Sequence, residues 1–87
     1  MPAPKVTIYT TQVCPFCVRA KKLLARKGVP YHEISVEGRD DLRLWLVEAS
    51  GQRTVPQIFA GERSLGGFTD LAALDAEGKL DPILRGE

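Results

Sequence analysis

Cys14 and Cys17 are the two cysteines of this 87-residue chain, with only Pro15 and Phe16 between them. A pair so spaced can ligate a metal, close a static bridge or carry electrons. Each use makes a different demand on the other residues. A structural zinc site takes four protein ligands. Two cysteines and one histidine, His32, fall short of that. A zinc site within one chain is therefore not expected, while a metal or cluster shared between two chains stays open. A static disulfide would close a loop of two residues, which constrains the unfolded chain little and adds little stability. Electron transfer fits the spacing better, because residues i and i+3 of a helix's first turn lie close enough to form a disulfide without much backbone movement.

That use needs the pair at the start of a helix. Residues 5–11, "KVTIYTT", are β-branched and aromatic and alternate at Val6 and Ile8, which predicts a strand. Phe16, Ala20, Leu23, Leu24 and Lys27 then recur at helical spacing. Pro15 suits the first helical turn and Gly28 suits a stop. Cys14 falls near the N-cap, where unpaired N–H groups and the positive dipole end stabilise a thiolate. Such placement lowers a cysteine pKa from about 8.5 into the range of roughly 3.5–7.5. Cys17 lies one turn deeper, on the buried side. The expected roles are unequal: Cys14 attacks and Cys17 resolves. Arg19, Lys21 and Lys22 read first as a solvated helix face.

The remaining elements follow in order. Residues 30–36, "PYHEISV", predict a second strand, parallel to the first because a helix connects them. Residues 38–51 predict a helix whose Leu42, Trp45, Leu46 and Ala49 form the best amphipathic stripe in the chain. Asp40 and Asp41 occupy its first turn and Gly51 its end. Residues 55–61 and 63–67 predict two strands joined at Ala60–Gly61–Glu62. A final helix is expected over 69–80, with Thr69 or Asp70 as N-cap and Leu71 and Leu74 inward. The order β-α-β-α-β-β-α, with C-x-x-C opening the first helix, predicts an α/β, thioredoxin-like fold. It would hold a mixed four-stranded sheet flanked by helices, as one domain over residues 1–87.

Composition sets limits on partners. Apolar residues make up 44% and charged residues 26%, and twelve basic residues against eleven acidic ones leave a net charge of +1. That balance provides no broad field for nucleic acid. The opening "MPAPKVTIYT" lacks the apolar core of a signal peptide, and no run reaches the length of a membrane span. Two close cysteines without an export signal point to the reducing cytoplasm, where C-x-x-C is more often redox-active or metal-binding than a staple.

Taken together, "CPFC", "TVPQIF" and "GGFTDL" resemble the glutaredoxins, and most closely the small bacterial dithiol members of the glutaredoxin 3 type. The resemblance spans nearly the whole chain. It implies a cis peptide bond at Val55–Pro56, with Thr54 and the Val55 backbone beside the cysteines. It implies that Gly67, Phe68, Thr69 and Asp70 seat the γ-glutamyl end of glutathione, backbone N–H groups holding the α-carboxylate and Asp70 pairing with the α-ammonium. Phe16 replaces a common tyrosine and would wall the groove. Thr11 stands where many members carry a lysine, so Arg43 and Arg53 become the candidates for the glycine carboxylate. Phe68 stands where some members have a third cysteine.

The activity so implied is glutathione-dependent reduction of protein–glutathione mixed disulfides and protein disulfides. Its poise would be roughly −200 to −230 mV. Glutathione is expected as co-substrate, with no bound cofactor and no metal. Partners would be glutathionylated or disulfide-containing proteins, ribonucleotide reductase among the compatible ones, and the chain a monomer. Two rival readings are a redoxin served by thioredoxin reductase and an iron–sulfur carrier. The glutathione seat argues against the first and Pro15 against the second.

Overall fold

The structure is a computed structural model that describes residues 3–86. Its elements run β1 (Val6–Thr10), α1 (Pro15–Arg26), β2 (His32–Ser35), α2 (Asp40–Ser50), β3 (Gln57–Ala60), β4 (Arg63–Gly66), α3 (Phe68–Ala76) and α4 (Leu80–Arg85). The strands form one mixed sheet in the order β2-β1-β3-β4. β1 pairs parallel with β2 and antiparallel with β3, and β3 pairs antiparallel with β4. Gly61, at φ +61°, opens the two-residue turn between β3 and β4, a position where a side chain would be strained. This is the thioredoxin-like arrangement predicted from the element order.

Period-two alternation divides the core between the two sheet faces. Val6 and Ile8 of β1, with Ile58 and Ala60 of β3, face α1, α3 and α4, which contribute Ala20, Leu23, Leu24, Leu71, Leu80 and Leu84. Tyr9 and Phe59 face the other way and pack with Val36 and Leu46 beneath α2. The first cluster is much the larger. α1 is therefore the better-buried helix, presenting Cys17, Ala20, Leu23 and Leu24 inward. The expected stripe on α2 is corrected: Leu46 is buried, but Ala49 is exposed and Trp45 retains 46% exposure. Trp45 lies at the margin of the smaller cluster, 5.6 Å from the Tyr9 ring and 5.9 Å from Phe59. Phe16 is likewise absent from the α1 core stripe and stands outside it.

The end of the chain also differs from expectation. The helix predicted over 69–80 is two helices. Gly78, at φ +72°, ends α3: its N–H bonds to the Asp75 carbonyl and that of Lys79 to Leu74, the paired closure of a Schellman motif. α4 follows, with Leu80 and Leu84 one turn apart and both buried. The N-cap of α3 is Gly67, not Thr69 or Asp70. Asp70 sits at the third helical position and reaches back to accept the Gly67 N–H at 3.0 Å. The same closure ends α1, where Gly28 bonds to Ala25 and Val29 to Leu24.

Candidate active site

β1 is central in the sheet, and its C-terminal end delivers the chain to Cys14. Cys14 is the N-cap of α1, Pro15 takes the first helical position, and the first turn carries no acidic residue. The Cys14 Sγ accepts the Cys17 N–H at 3.0 Å. One orphan donor of the helix start is thus aimed at the sulfur where a thiolate's charge would reside. In this structure Cys14 and Cys17 are joined as a disulfide, with Cα atoms 5.1 Å apart. Their exposures differ: Cys17 is 2% exposed, while Cys14 is only half-buried. A reagent arriving from solvent therefore meets Cys14 first.

The second wall comes from the segment between α2 and β3. The Val55–Pro56 bond is cis, and the Val55 carbonyl oxygen lies 3.9 Å from Cys14 Sγ. This wall is pinned from below. Gln57, fully buried, donates from Nε2 to the Thr54 carbonyl and to Gln52 Oε1, both at 2.9 Å. The third wall is the turn into α3. Gly66 has φ +91°, and a Cβ there would stand 2.8 Å from the Asp70 Cβ. At Gly67 a Cβ would stand 3.3 Å from the Pro56 carbonyl oxygen. Each glycine therefore has its own reason: the first admits the Asp70 side chain and the second lets α3 approach the cis-proline wall.

These walls enclose a cleft of about 230 Å³ lined by Phe16, Gln52, Thr54, Val55, Pro56, Gly67, Phe68, Thr69 and Asp70. Phe16 and Phe68 face each other across it at 6.2 Å. Arg19 lies 5.2 Å over the Phe16 ring, a cation–π contact that places positive charge near the mouth. Arg43 and Arg53 do not line this cleft. They border an adjoining one of about 440 Å³, which shares Gln52, Thr54 and Val55 with the first. Nine of the twelve residues singled out by sequence thus converge beside or within one cleft, with Cys17 beneath and the two arginines next door. Gln52 was missed. It belongs to none of the three motifs, and nothing in its sequence context marks a glutamine in a loop. Among the described residues, no group of three or more His, Cys, Asp or Glu side chains is arranged to hold a metal ion.

The sequence matches the glutaredoxin family model over residues 6–65. The chain belongs to the glutaredoxin family. A glutaredoxin from Pseudomonas aeruginosa is 53% identical over 81 residues, which cover 93% of this chain and 96% of that one. Glutaredoxin 3 of Escherichia coli K12 is 49% identical over 80 residues, covering 92% and 96% respectively. The crystal structure of a buckwheat glutaredoxin–glutathione complex superimposes with a TM-score of 0.86 at 31% identity, over 93% of this chain and 76% of that one. Glutaredoxins are thiol–disulfide oxidoreductases, and the Cys14–Cys17 pair at the mouth of the cleft equips this member of the family for that chemistry. No helix among the described residues is long and apolar enough to cross a membrane.

Proposed function

We propose that this glutaredoxin reduces protein–glutathione mixed disulfides and protein disulfides at the expense of glutathione, with Cys14 as nucleophile and Cys17 as resolving thiol. The observation that carries this reading is the Cys14 sulfur itself. It is the more exposed of the pair, it receives a helix-start N–H at 3.0 Å, and it borders a cleft ended by the Asp70 carboxylate. In the reduced protein the Cys14 thiolate attacks the glutathione sulfur of a mixed disulfide. The Cys14–glutathione bond forms, and the protein thiolate leaves and takes up a proton. A second glutathione thiolate then attacks that glutathione sulfur, releasing glutathione disulfide and restoring the Cys14 thiolate.

With a protein disulfide, Cys14 bonds to one protein sulfur and releases the other. Cys17 then attacks Cys14 Sγ, frees the second protein thiol and leaves the Cys14–Cys17 disulfide. Two glutathiones reduce it. Only deprotonated sulfur attacks at each step, and the sulfur with the lower pKa leaves faster.

Glutathione fits the cleft in one direction. Its cysteinyl backbone would run along Val55, as a strand edge. Its γ-glutamyl carboxylate would meet the N–H groups at Phe68 and Thr69, and its ammonium Asp70. Its glycine carboxylate would point towards Arg43 and Arg53 in the adjoining cleft. The buckwheat relative was solved as a glutaredoxin–glutathione complex, which supports this occupant. The setting would be the cytoplasm, with the 87 residues as one monomeric domain and ribonucleotide reductase among the compatible protein targets.

Turnover of a glutathione mixed disulfide, coupled to glutathione and its reductase, tests the reading. Cys14→Ser is expected to abolish turnover, and Cys17→Ser to keep removing glutathione from the mixed disulfide. Substantial turnover by Cys14→Ser would overturn the assignment.

A further inference from the structure

Gln52 joins two walls of the cleft that the sequence motifs leave unconnected. Its Oε1 accepts from Gln57 Nε2 at 2.9 Å, and its Nε2 donates to Asp70 Oδ2 at 3.3 Å. The direction of this chain is forced. A carboxylate can only accept, so the amide nitrogen of Gln52 must face Asp70 and its oxygen must face the donor on Gln57. Gln57 in turn spends its N–H groups on Gln52 and on the Thr54 carbonyl, and its own Oε1 is buried with no hydrogen-bond partner among the described residues. Both Gln57 amide hydrogens are thus committed to the cleft walls, one to Gln52 and one to the Thr54 carbonyl. At the far end, Asp70 Oδ2 also accepts the Gly67 N–H at 3.0 Å. Both anchors fall on Oδ2, and neither touches Oδ1.

We propose that Gln52 is a positioning residue that sets specificity for substrates bearing an α-ammonium group. It fixes the Asp70 carboxylate through Oδ2 and so presents Oδ1 to the ammonium in the cleft. Gln57 holds Gln52, and the same amide holds the cis-proline wall, so the seat for the ammonium and the seat for the cysteinyl backbone are locked at one spacing. The inference rests on the glutathione reading given above.

The test is a cycle of two substrates and three proteins. The substrates are a mixed disulfide of glutathione and one of glutaryl-cysteinyl-glycine, which differs by lacking the ammonium. The wild-type protein is expected to favour the first by about tenfold in kcat/KM, the scale of one hydrogen bond to a charged group. In Gln52→Ala and Gln52→Met that preference is expected to shrink by about threefold or more, the scale of coupling within one hydrogen-bond network, and through KM rather than kcat because the ammonium contact is made in the bound ground state as well. Gln52→Met keeps the bulk without the amide, and its thermal unfolding reports whether the fold is intact. A merely structural role would slow both substrates alike and leave the ratio untouched. An unchanged ratio in both variants therefore overturns the inference while leaving the proposed function standing. If the wild-type protein turns over both substrates equally, Asp70 is not the ammonium seat, and that part of the proposed function falls first.

Discussion

Cys14 and Cys17 share a residue type and a bond, yet the first turn of α1 treats them differently. The N-cap position receives an N–H and opens to the cleft, while the position three residues on is sealed under the sheet. A second set of polar groups ties β1, β2 and α1 together. Thr10, 2% exposed, donates to Glu33 at 2.8 Å, and Lys21 approaches the same carboxylate at 3.1 Å. The Thr10 hydrogen bond chiefly, and Lys21 after it, hold the Glu33 carboxyl below its ordinary value of 4.5 against the opposing effect of burial. A carboxyl with a depressed folded-state pKa adds stability above its unfolded pKa and loses it as pH falls through the folded one. Glu33→Gln is thus expected to lose up to about 1 kcal/mol at pH 7, the scale of a largely exposed pair. Unfolding midpoints followed down to pH 3 should show the gap to the wild-type protein closing below pH 4.5. A gap constant with pH would assign the loss to something other than the charge.

The element most constrained by the site is the turn into α3. Gly66 combines a positive φ with a close approach to Asp70, so Gly66→Ala must both strain the backbone and displace the carboxylate. Expected are a loss of about 1–3 kcal/mol, the scale of a residue held in a disallowed region, and a raised KM for glutathione mixed disulfides. Urea unfolding and steady-state kinetics on the same sample separate the two effects. Gly67→Ala should be milder, since 3.3 Å to a carbonyl leaves room for a small shift. This turn also shows what the sequence could and could not reveal. "GGFTD" announced a glycine turn before a helix, but not that Gly67 would be the cap and Asp70 the residue that folds back on it. Strand and helix order was legible because alternation and 3.6-residue spacing are local properties. The stripe on α2 misled because Trp45 and Ala49 repeat correctly while too little core lies beneath them. Gln52 was invisible because its partners lie five and eighteen residues away.

At the scale of the whole molecule, α4 matters more than its length suggests. Leu80 and Leu84 complete the larger core, and their four-residue spacing after Gly78, with Pro82 in the first turn, was a readable signal for a separate helix. Lys27, at the end of α1, bridges to Asp75 of α3 at 2.5 Å and to Asp81 of α4 at 3.2 Å. The Asp75 hydrogen bond, followed by that to Asp81, raises the Lys27 pKa. Leu80 is fully buried, so Leu80→Ala should cost about 2–5 kcal/mol. That is a large share of the roughly 5–15 kcal/mol that holds a small domain folded, and calorimetry should register it as a marked fall in Tm. A drop of only a degree or two would mean that α4 rests on the core without completing it.

Residues 3–4 and residues 84–85 line one cavity, together with Lys27, Gly28 and His32. β1 runs away from that corner for five residues, roughly 16 Å at strand rise, before the chain reaches Cys14. A tether, label or fused protein held at that corner would therefore sit about one strand length from the disulfide. The protein can be moored to a surface or a carrier with its reactive sulfur held clear of the attachment.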